Sequence, residues 1–140
     1  MQDIVTRLVF SFKEFYGTAP SHIFFCPGRV NLIGDHIDYN GGLVMPCAIN
    51  YGTFLAISTN AENVYNFRSL DYSGVGALSS TEEHKRQGTH WYNFPLGILQ
   101  LLKEVGMPST GLNTLFAGNL PVGAGLSSSA SIEMVTADAV

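Results

Sequence analysis

GRVNLIGDHIDYNGG, residues 28–42, joins an aliphatic run to a cluster of polar side chains and ends on two glycines. The run RVNLI (29–33) is typical of a strand, and Gly41 and Gly42 accept positive φ without steric cost, so the stretch predicts a strand and a hairpin turn. Only 13% of the chain is charged, yet several titratable groups crowd between strand and turn: Asp35, His36, Asp38 and Tyr39. Such crowding suits either a solvated hairpin tip, where Asp often caps turns, or a site that grips a polyol.

Outward from this stretch, the sequence predicts a mixture of strands and helices without strict alternation. Apolar stripes predict helices over 4–16, with Asp3 as N-cap and Gly17 as stop, over 91–105 and from about residue 131 onward. Further strands are predicted over 22–26, 43–49, 53–59, 64–70 and 112–119. Residues 71–89 are polar and predict a loop, with room for a short helix at 82–87. The order favours the α+β class.

The composition and charge of the chain argue against some classes of binding partner. The chain is 46% hydrophobic with a formal net charge of −4 and no run of Lys or Arg, so the electrostatic footprint of a nucleic-acid or anionic-membrane partner is missing. No secretory signal or membrane span is apparent, and the expectation is a cytoplasmic protein. Cys26 and Cys47 lack metal or redox spacing and are expected to be small buried hydrophobes, although a bridge between them stays open.

A second dense stretch is PVGAGLSSSA, residues 121–130, between an apolar strand and a helix. A strand, a glycine loop and a helix N-terminus form an arrangement that binds phosphate, because free N–H groups and the helix dipole point at the anion. The spacing matches neither GxxxxGK[ST] nor GxGxxG. From the residues alone, a phosphate site and a structural turn are about equally supported, and a flexible linker is the third reading.

Together the two stretches resemble the N-terminal part of galactokinases, in the GHMP family of small-molecule kinases. PGRVNLIGDHIDYNGGLVMPCAI is similar to the galactokinase signature, and GNLPVGAGLSSSASIE to the family's ATP-binding loop. FRSLD (67–71) and WYNFPLG (91–97) resemble segments that line the nucleotide pocket. The resemblance implies an α+β fold in which residues 1–140 form an incomplete GHMP-kinase-like N-terminal domain of the ribosomal protein S5 domain 2-like type.

The resemblance also implies a reaction and a role for each matching residue. The reaction is transfer of the ATP γ-phosphoryl group to galactose, with Mg²⁺. Arg29 would stabilise charge in the transfer. The sugar would be bound by the segment Asp35, His36, Ile37 and Asp38. The nucleotide would be bound by Ser69, Trp91, Gly123, Ala124, Gly125, Leu126, Ser127, Ser128 and Ser129, with Ser129 also a magnesium ligand.

Two departures from the family pattern keep alternatives open. Asp35 stands where Glu is usual and Ile37 where Thr is common, so a kinase for another sugar remains possible. Family members are more than twice as long, and their catalytic aspartate, acidic magnesium ligand and third glycine-rich motif lie beyond the position of Val140. We therefore expect the 140 residues to be a fragment or a truncated product, inactive alone. A non-catalytic sensor that binds sugar and ATP is the alternative from another functional class.

Overall fold

The computed structural model describes residues 2–34, 36–121 and 125–140, apart from the side chain of Asp38. Helix α1 spans Gln2–Tyr16, α2 spans Asn93–Glu104 and α3 spans Ser128–Ala139. The strands are β1 His22–Ile33, β2 Met45–Asn60, β3 Val64–Ser69, β4 Gly76–Ser79 and β5 Gly111–Gly118. Over the described residues these strands form one sheet in the order β1-β2-β5-β3-β4. The β3–β5 pair is parallel and the other pairs are antiparallel, which agrees with the predicted α+β class.

Strands β1 and β2 are each longer than the sequence predicts, because each joins two predicted strands. The segments 22–26 and 29–33 continue through Pro27, where the β1–β2 register shifts. β1 lies at the edge of the sheet, where a proline without an N–H costs no ladder bond. In β2, the glycine that suggested a break, Gly52, instead lets the strand approach the carbonyl of Cys26. The result is one long β1–β2 hairpin whose distal half extends beyond the other strands.

Both faces of the sheet are covered by helices. One core cluster packs α1 on the sheet and consists of Leu8, Phe12, Phe54, Ala56, Leu115 and Ala117. The opposite cluster lies under α2 and α3 and includes Leu55, Ile57, Phe67, Leu96, Phe116 and Val135. Successive β2 residues therefore point to opposite cores, which explains why the middle of β2 is an unbroken apolar run.

Two local predictions were wrong between β3 and α2. Residues 76–79 form strand β4, and Gly76 fits there because Phe67 and Tyr92 crowd the space where a Cβ would lie. No helix forms over 82–87, all of which the structure describes. Instead Lys103 Nζ donates to the carbonyls of Thr81 (2.8 Å) and Glu82 (3.1 Å), which holds this backbone extended along α2.

Two other turns differ in detail from the prediction. The hairpin tip contains a short 3₁₀ helix, Asp38–Asn40, and only then Gly41 with φ of 75°. Gly42 lies against Ile37, which would crowd a side chain at residue 42. Asp3 lies within the first turn of α1, while Gly17 ends that helix with φ of 73° and an N–H bond to the Lys13 carbonyl, as predicted.

Within the ranges given above, no helix has the length and apolar character needed to cross a membrane.

Candidate active site

A cavity of about 360 Å³ opens where the ends of β3 and β5 meet the N-terminus of α3. Its walls combine aromatic rings, small hydroxyl side chains and one carboxylate: Ser69, Asp71, Tyr72, Trp91, Phe94, Phe116, Ser128 and Ser129. Ligand pockets are commonly of this size and mix apolar walls with few polar groups. The structure thus brings four predicted nucleotide-binding residues to one cavity: Ser69, Trp91, Ser128 and Ser129.

The aromatic wall is centred on Trp91. Its indole N–H donates to the Gly74 carbonyl at 3.0 Å, and its ring stands edge-on to Phe116 with centroids 5.5 Å apart. Tyr72 is roughly parallel to Trp91 at 6.4 Å. These contacts fix the half-buried indole as part of the wall. Trp91 therefore packs within the wall and also lines the cavity.

Next to the aromatic wall, the chain forms a turn directly after β3, and the Ser69 hydroxyl stabilises it. The Ser69 hydroxyl accepts from the backbone N–H groups of Asp71 (3.1 Å) and Tyr72 (3.2 Å). The Asp71 carboxylate accepts from the N–H of Gly118 at 2.7 Å, which joins this turn to the end of β5. The site residues predicted from the sequence do not include Asp71. Its position in FRSLD, two residues after Ser69, was the available signal.

The opposite wall is the start of α3. Gly125 and Ser127 both adopt left-handed conformations, with φ of 67° and 58°, and bring the chain into the helix. Within the described loop residues, Ser127 makes no side-chain capping bond to the helix. The exposed Ser128 and Ser129 therefore stand at a helix N-terminus that Ser127 does not cap with its side chain, and the N–H groups of such a terminus favour anions. Gly123 and Ala124, also predicted to bind phosphate, lie outside the described residues.

Strand β1 meets the glycine-serine loop, residues 121–130, at Leu126. The Arg29 backbone N–H donates to the Leu126 carbonyl at 3.2 Å. At the preceding residue, Gly28, a Cβ would lie 2.8 Å from that same oxygen and 2.6 Å from the Leu120 side chain. The absence of a side chain at Gly28 is therefore what permits the strand carrying Arg29 to lie against the loop.

The hairpin tip holds the predicted sugar-binding segment. His36 has φ of 67°, and its Nδ1 lies 2.9 Å from the Tyr39 hydroxyl. The Asn40 amide donates to the His36 carbonyl at 2.8 Å, and Ile37 is exposed. Asp35 and the side chain of Asp38 lie outside the described residues. The residues of the tip that are described do not line the cavity.

The cysteines differ from the expectation that both are buried. Both are described and both are free thiols; Cys26 is half-buried and Cys47 is exposed, because it lies on the distal part of the hairpin. Burial raises the pKa of the Cys26 thiol, and the negative charge of Asp138 raises it further. Among the described residues, no group of His, Cys, Asp and Glu side chains is arranged to hold a metal ion.

Two family models match the chain. Residues 11–59 match the galactokinase galactose-binding signature, and residues 93–140 match the N-terminal domain of the GHMP kinases. The first segment contains the hairpin with its polar tip, and the second contains α2, β5, the glycine-serine loop and α3.

Curated relatives agree with the family models. A galactokinase from Lacticaseibacillus casei (strain BL23) is 44% identical over 134 residues, covering 93% of this chain and 34% of its own. A galactokinase from Clostridium perfringens (strain ATCC 13124) is 43% identical, covering 89% of this chain and 33% of its own. This chain thus spans about a third of the length of the curated relatives it matches.

Solved structures give the same result. Lactococcus lactis galactokinase complexed with galactose superposes with a TM-score of 0.87 at 35% identity, over 95% of this chain and 35% of that one. Methanococcus jannaschii mevalonate kinase gives 0.75 at 24% identity, which shows the shared fold. Residues 11–59 thus match the galactokinase signature and residues 93–140 the GHMP kinase N-terminal domain, and over 93% of its length the chain is similar to the Lacticaseibacillus casei galactokinase, of the GHMP kinase family.

Proposed function

We propose that this polypeptide supplies the sugar and nucleotide sites of an ATP-dependent sugar kinase that converts galactose to galactose 1-phosphate. The observation that carries the proposal is the contact between the two matched segments, in which the Arg29 N–H donates to the Leu126 carbonyl. A phosphoryl transfer needs the acceptor and the donor side by side, and this contact joins the strand of the sugar signature to the phosphate loop.

The cavity fits a nucleotide. Its aromatic wall, with Tyr72 and Trp91, offers faces for a base, and the start of α3 offers N–H groups and the Ser128 and Ser129 hydroxyls for phosphates. ATP would supply the phosphoryl group there. Gly123, Ala124, Gly125, Leu126 and Ser127 would complete the loop around the phosphates. The Ser129 hydroxyl would be one ligand of a Mg²⁺ ion, which neutralises phosphate charge in such reactions.

The sugar would be held by the hairpin tip. Carboxylates accept hydrogen bonds from neighbouring hydroxyl pairs, so Asp35 and Asp38 are suited to a polyol, with His36 and the Ile37 backbone beside them. The guanidinium of Arg29, at the base of the hairpin, would stabilise the negative charge that shifts during transfer. A sugar of the wrong configuration would leave such polar groups unpaired, which makes this kind of site selective. We place the reaction in the cytoplasm, with galactose as a small-molecule partner.

The proposal is tested by incubating the complete gene product with ATP, Mg²⁺ and single sugars, and by measuring sugar phosphate formation. We expect galactose 1-phosphate from galactose, and much less product from glucose, arabinose or N-acetylgalactosamine. The 140-residue chain, assayed in parallel, is expected to be inactive. Binding of galactose and ATP by the complete product without turnover would contradict the proposal and favour a sensor. Preferential turnover of another sugar would contradict the choice of substrate, and Asp35→Glu then tests whether the shorter carboxylate is responsible.

A further inference from the structure

We propose that Ser131 is a positioning residue of the kinase, which holds the phosphate loop and α3 in place against the strand that carries Arg29. The inference rests on the proposed function and adds to it a residue of the ATP-binding motif that has no predicted role in the site. Ser131 lies two residues after Ser129, in the second turn of α3, and is 2% exposed.

The Ser131 hydroxyl joins three elements of the fold. It donates to the backbone carbonyl of Cys26, in β1, at 2.8 Å. It accepts from the backbone N–H of Thr53, in β2, at 3.1 Å. It also lies 2.9 Å from the Thr53 hydroxyl. A single oxygen on α3 therefore bonds to both strands of the long hairpin.

The direction of these bonds follows from the number of protons. A serine hydroxyl has one proton and two acceptor positions. The Cys26 carbonyl can only accept, so the Ser131 proton points to it, and the Thr53 hydroxyl must donate to Ser131. All three bonding positions of the Ser131 oxygen are then used. Removing this oxygen would take a partner from the half-buried Cys26 carbonyl and from the N–H and hydroxyl of the buried Thr53, which costs more than the loss of an exposed bond.

The location of these bonds makes them relevant to the reaction. Cys26 lies three residues before Arg29, and Arg29 itself bonds to Leu126 in the loop. Two hydrogen bonds thus join β1 to the segment 126–131. The bond from Arg29 to Leu126 precedes Ser128 and Ser129, and the bond from Ser131 to Cys26 follows them. Because Ser127 gives α3 no side-chain cap, these bonds to the sheet fix where the first turn of α3 lies relative to Arg29. A displacement of about 1 Å between reacting groups can cost on the order of 100-fold in rate.

Thr136 provides a matched control in the same helix. It is also buried, at 3% exposed, but its hydroxyl donates at 2.7 Å to the carbonyl of Ile132, within α3 itself. Thr136→Val therefore removes a buried hydroxyl from α3 and leaves the contacts with β1 and β2 intact. Loss of a buried hydroxyl as such is common to both variants, whereas loss of the connection to the strands is particular to Ser131→Ala.

The experiment compares steady-state kinetics and amide hydrogen exchange of the complete gene product and three variants. We expect Ser131→Ala to lower kcat about 10- to 100-fold while the KM for galactose stays within about threefold. Thr136→Val should keep kcat within about twofold. Ser131→Thr retains the hydroxyl but adds a methyl group to a packed site, so it should lower the Tm and keep most of kcat. In Ser131→Ala, and not in Thr136→Val, the amides of Arg29 and Thr53 should exchange faster.

Equal loss of kcat in Ser131→Ala and Thr136→Val, or unchanged exchange at Arg29 and Thr53, would overturn the positioning role. A rise in KM with unchanged kcat would also overturn it, because that result assigns Ser131 to ground-state binding. If the unmodified protein forms no galactose 1-phosphate, the proposed function fails. The exchange comparison then still decides whether Ser131 holds the loop helix against β1, since it does not depend on turnover.

Discussion

Gly28 is a position at which strand β1 lies close to the glycine-serine loop. The nearest atoms to a Cβ at this position would be the Leu120 side chain and the Leu126 carbonyl oxygen, at 2.6 and 2.8 Å. Leu120 can rotate away, but the carbonyl belongs to the backbone that also accepts from the Arg29 N–H. A side chain at residue 28 would therefore displace the backbone of the loop.

We expect Gly28→Ala to destabilise the fold by about 1–3 kcal/mol, through forced displacement of packed backbone, and to lower kcat. Chemical denaturation and galactose phosphorylation measure the two effects. Gly97→Ala is the matched control, because Gly97 lies inside α2 and a Cβ there meets nothing within 4 Å. That control should stabilise the protein by about 0.5–1 kcal/mol. If both variants shift stability in the same direction, close approach at Gly28 is not the cause.

We propose that the positive charge of Arg29 stabilises the transition state of the transfer. Arg29→Ala should lower kcat by about 100-fold or more and raise the KM for galactose far less, because a charge that meets developing negative charge acts on the barrier. Steady-state kinetics at several galactose concentrations separate the two constants. Arg29→Lys keeps the positive charge but lacks the planar set of guanidinium donors. Its kcat should therefore lie between that of the unmodified protein and that of Arg29→Ala. An equal loss of binding in ground state and transition state would contradict this role.

The residues of the candidate site differed in how far the sequence could identify them. Ser69, Trp91, Ser128 and Ser129 were predicted from motifs, and the cavity brings them together. Asp71 and Ser131 were not, because their roles come from contacts with Gly118 and Cys26 that lie far away along the chain. In the sequence, a serine that follows a glycine-serine loop looks like any other helix residue. Its contacts become visible only when the neighbouring strands are placed.

At the scale of elements, α1 is joined to the sheet at its last turn by Tyr16. The Tyr16 hydroxyl donates to the Thr114 carbonyl of β5 at 2.9 Å, and its ring packs on Phe12 with centroids 4.7 Å apart. Burial raises the pKa of Tyr16 from 10.0 to about 12, although the neighbouring Arg68 charge and the bond to Thr114 act in the opposite direction. This helix end is therefore held by a neutral phenol.

The raised pKa of Tyr16 predicts a loss of stability in alkali. Below pH 10 the phenol is neutral in both folded and unfolded chains; between pH 10 and about 12 the unfolded chain ionises first, so the free energy of unfolding falls. Tyr16→Phe should reduce this fall and cost about 1 kcal/mol at pH 8, through the lost bond to Thr114. Urea unfolding at pH 8 and pH 11 measures both. An identical fall in both proteins would place the alkaline loss elsewhere.

The number and order of elements were largely predictable, whereas some boundaries and one strand were not. Helical periodicity identified α1 and α2, because each buries one stripe against the sheet. Pro27 and Gly52 look like strand ends in the sequence, but an edge strand tolerates the proline and close strand packing needs the glycine. Strand β4 was missed because four residues at the sheet edge, three of them small, carry too little pattern.

At the scale of the whole molecule, the distal half of the β1–β2 hairpin stands apart from both cores. Its apolar side chains are exposed, among them Leu32, Ile33, Leu43, Met45 and Tyr51. Leu43 is 93% and Ile33 67% exposed, and Ile33 pairs with Met45 across the two strands. We call these five residues the hairpin patch. A concentration of exposed apolar side chains on one segment marks either an interaction site or a liability to associate.

We expect the 140-residue chain on its own to self-associate through the hairpin patch, because burying apolar surface is favourable at about 25 cal/mol per Å². Ile33→Lys should reduce the association, since the charge disfavours burial of the patch. Val105→Lys is the matched control: Val105 is 77% exposed at the end of α2 and is not part of the hairpin. Sedimentation velocity over a range of concentrations measures all three proteins. A monomeric unmodified chain, or equal association of both variants, would show that the hairpin patch does not drive contact between copies.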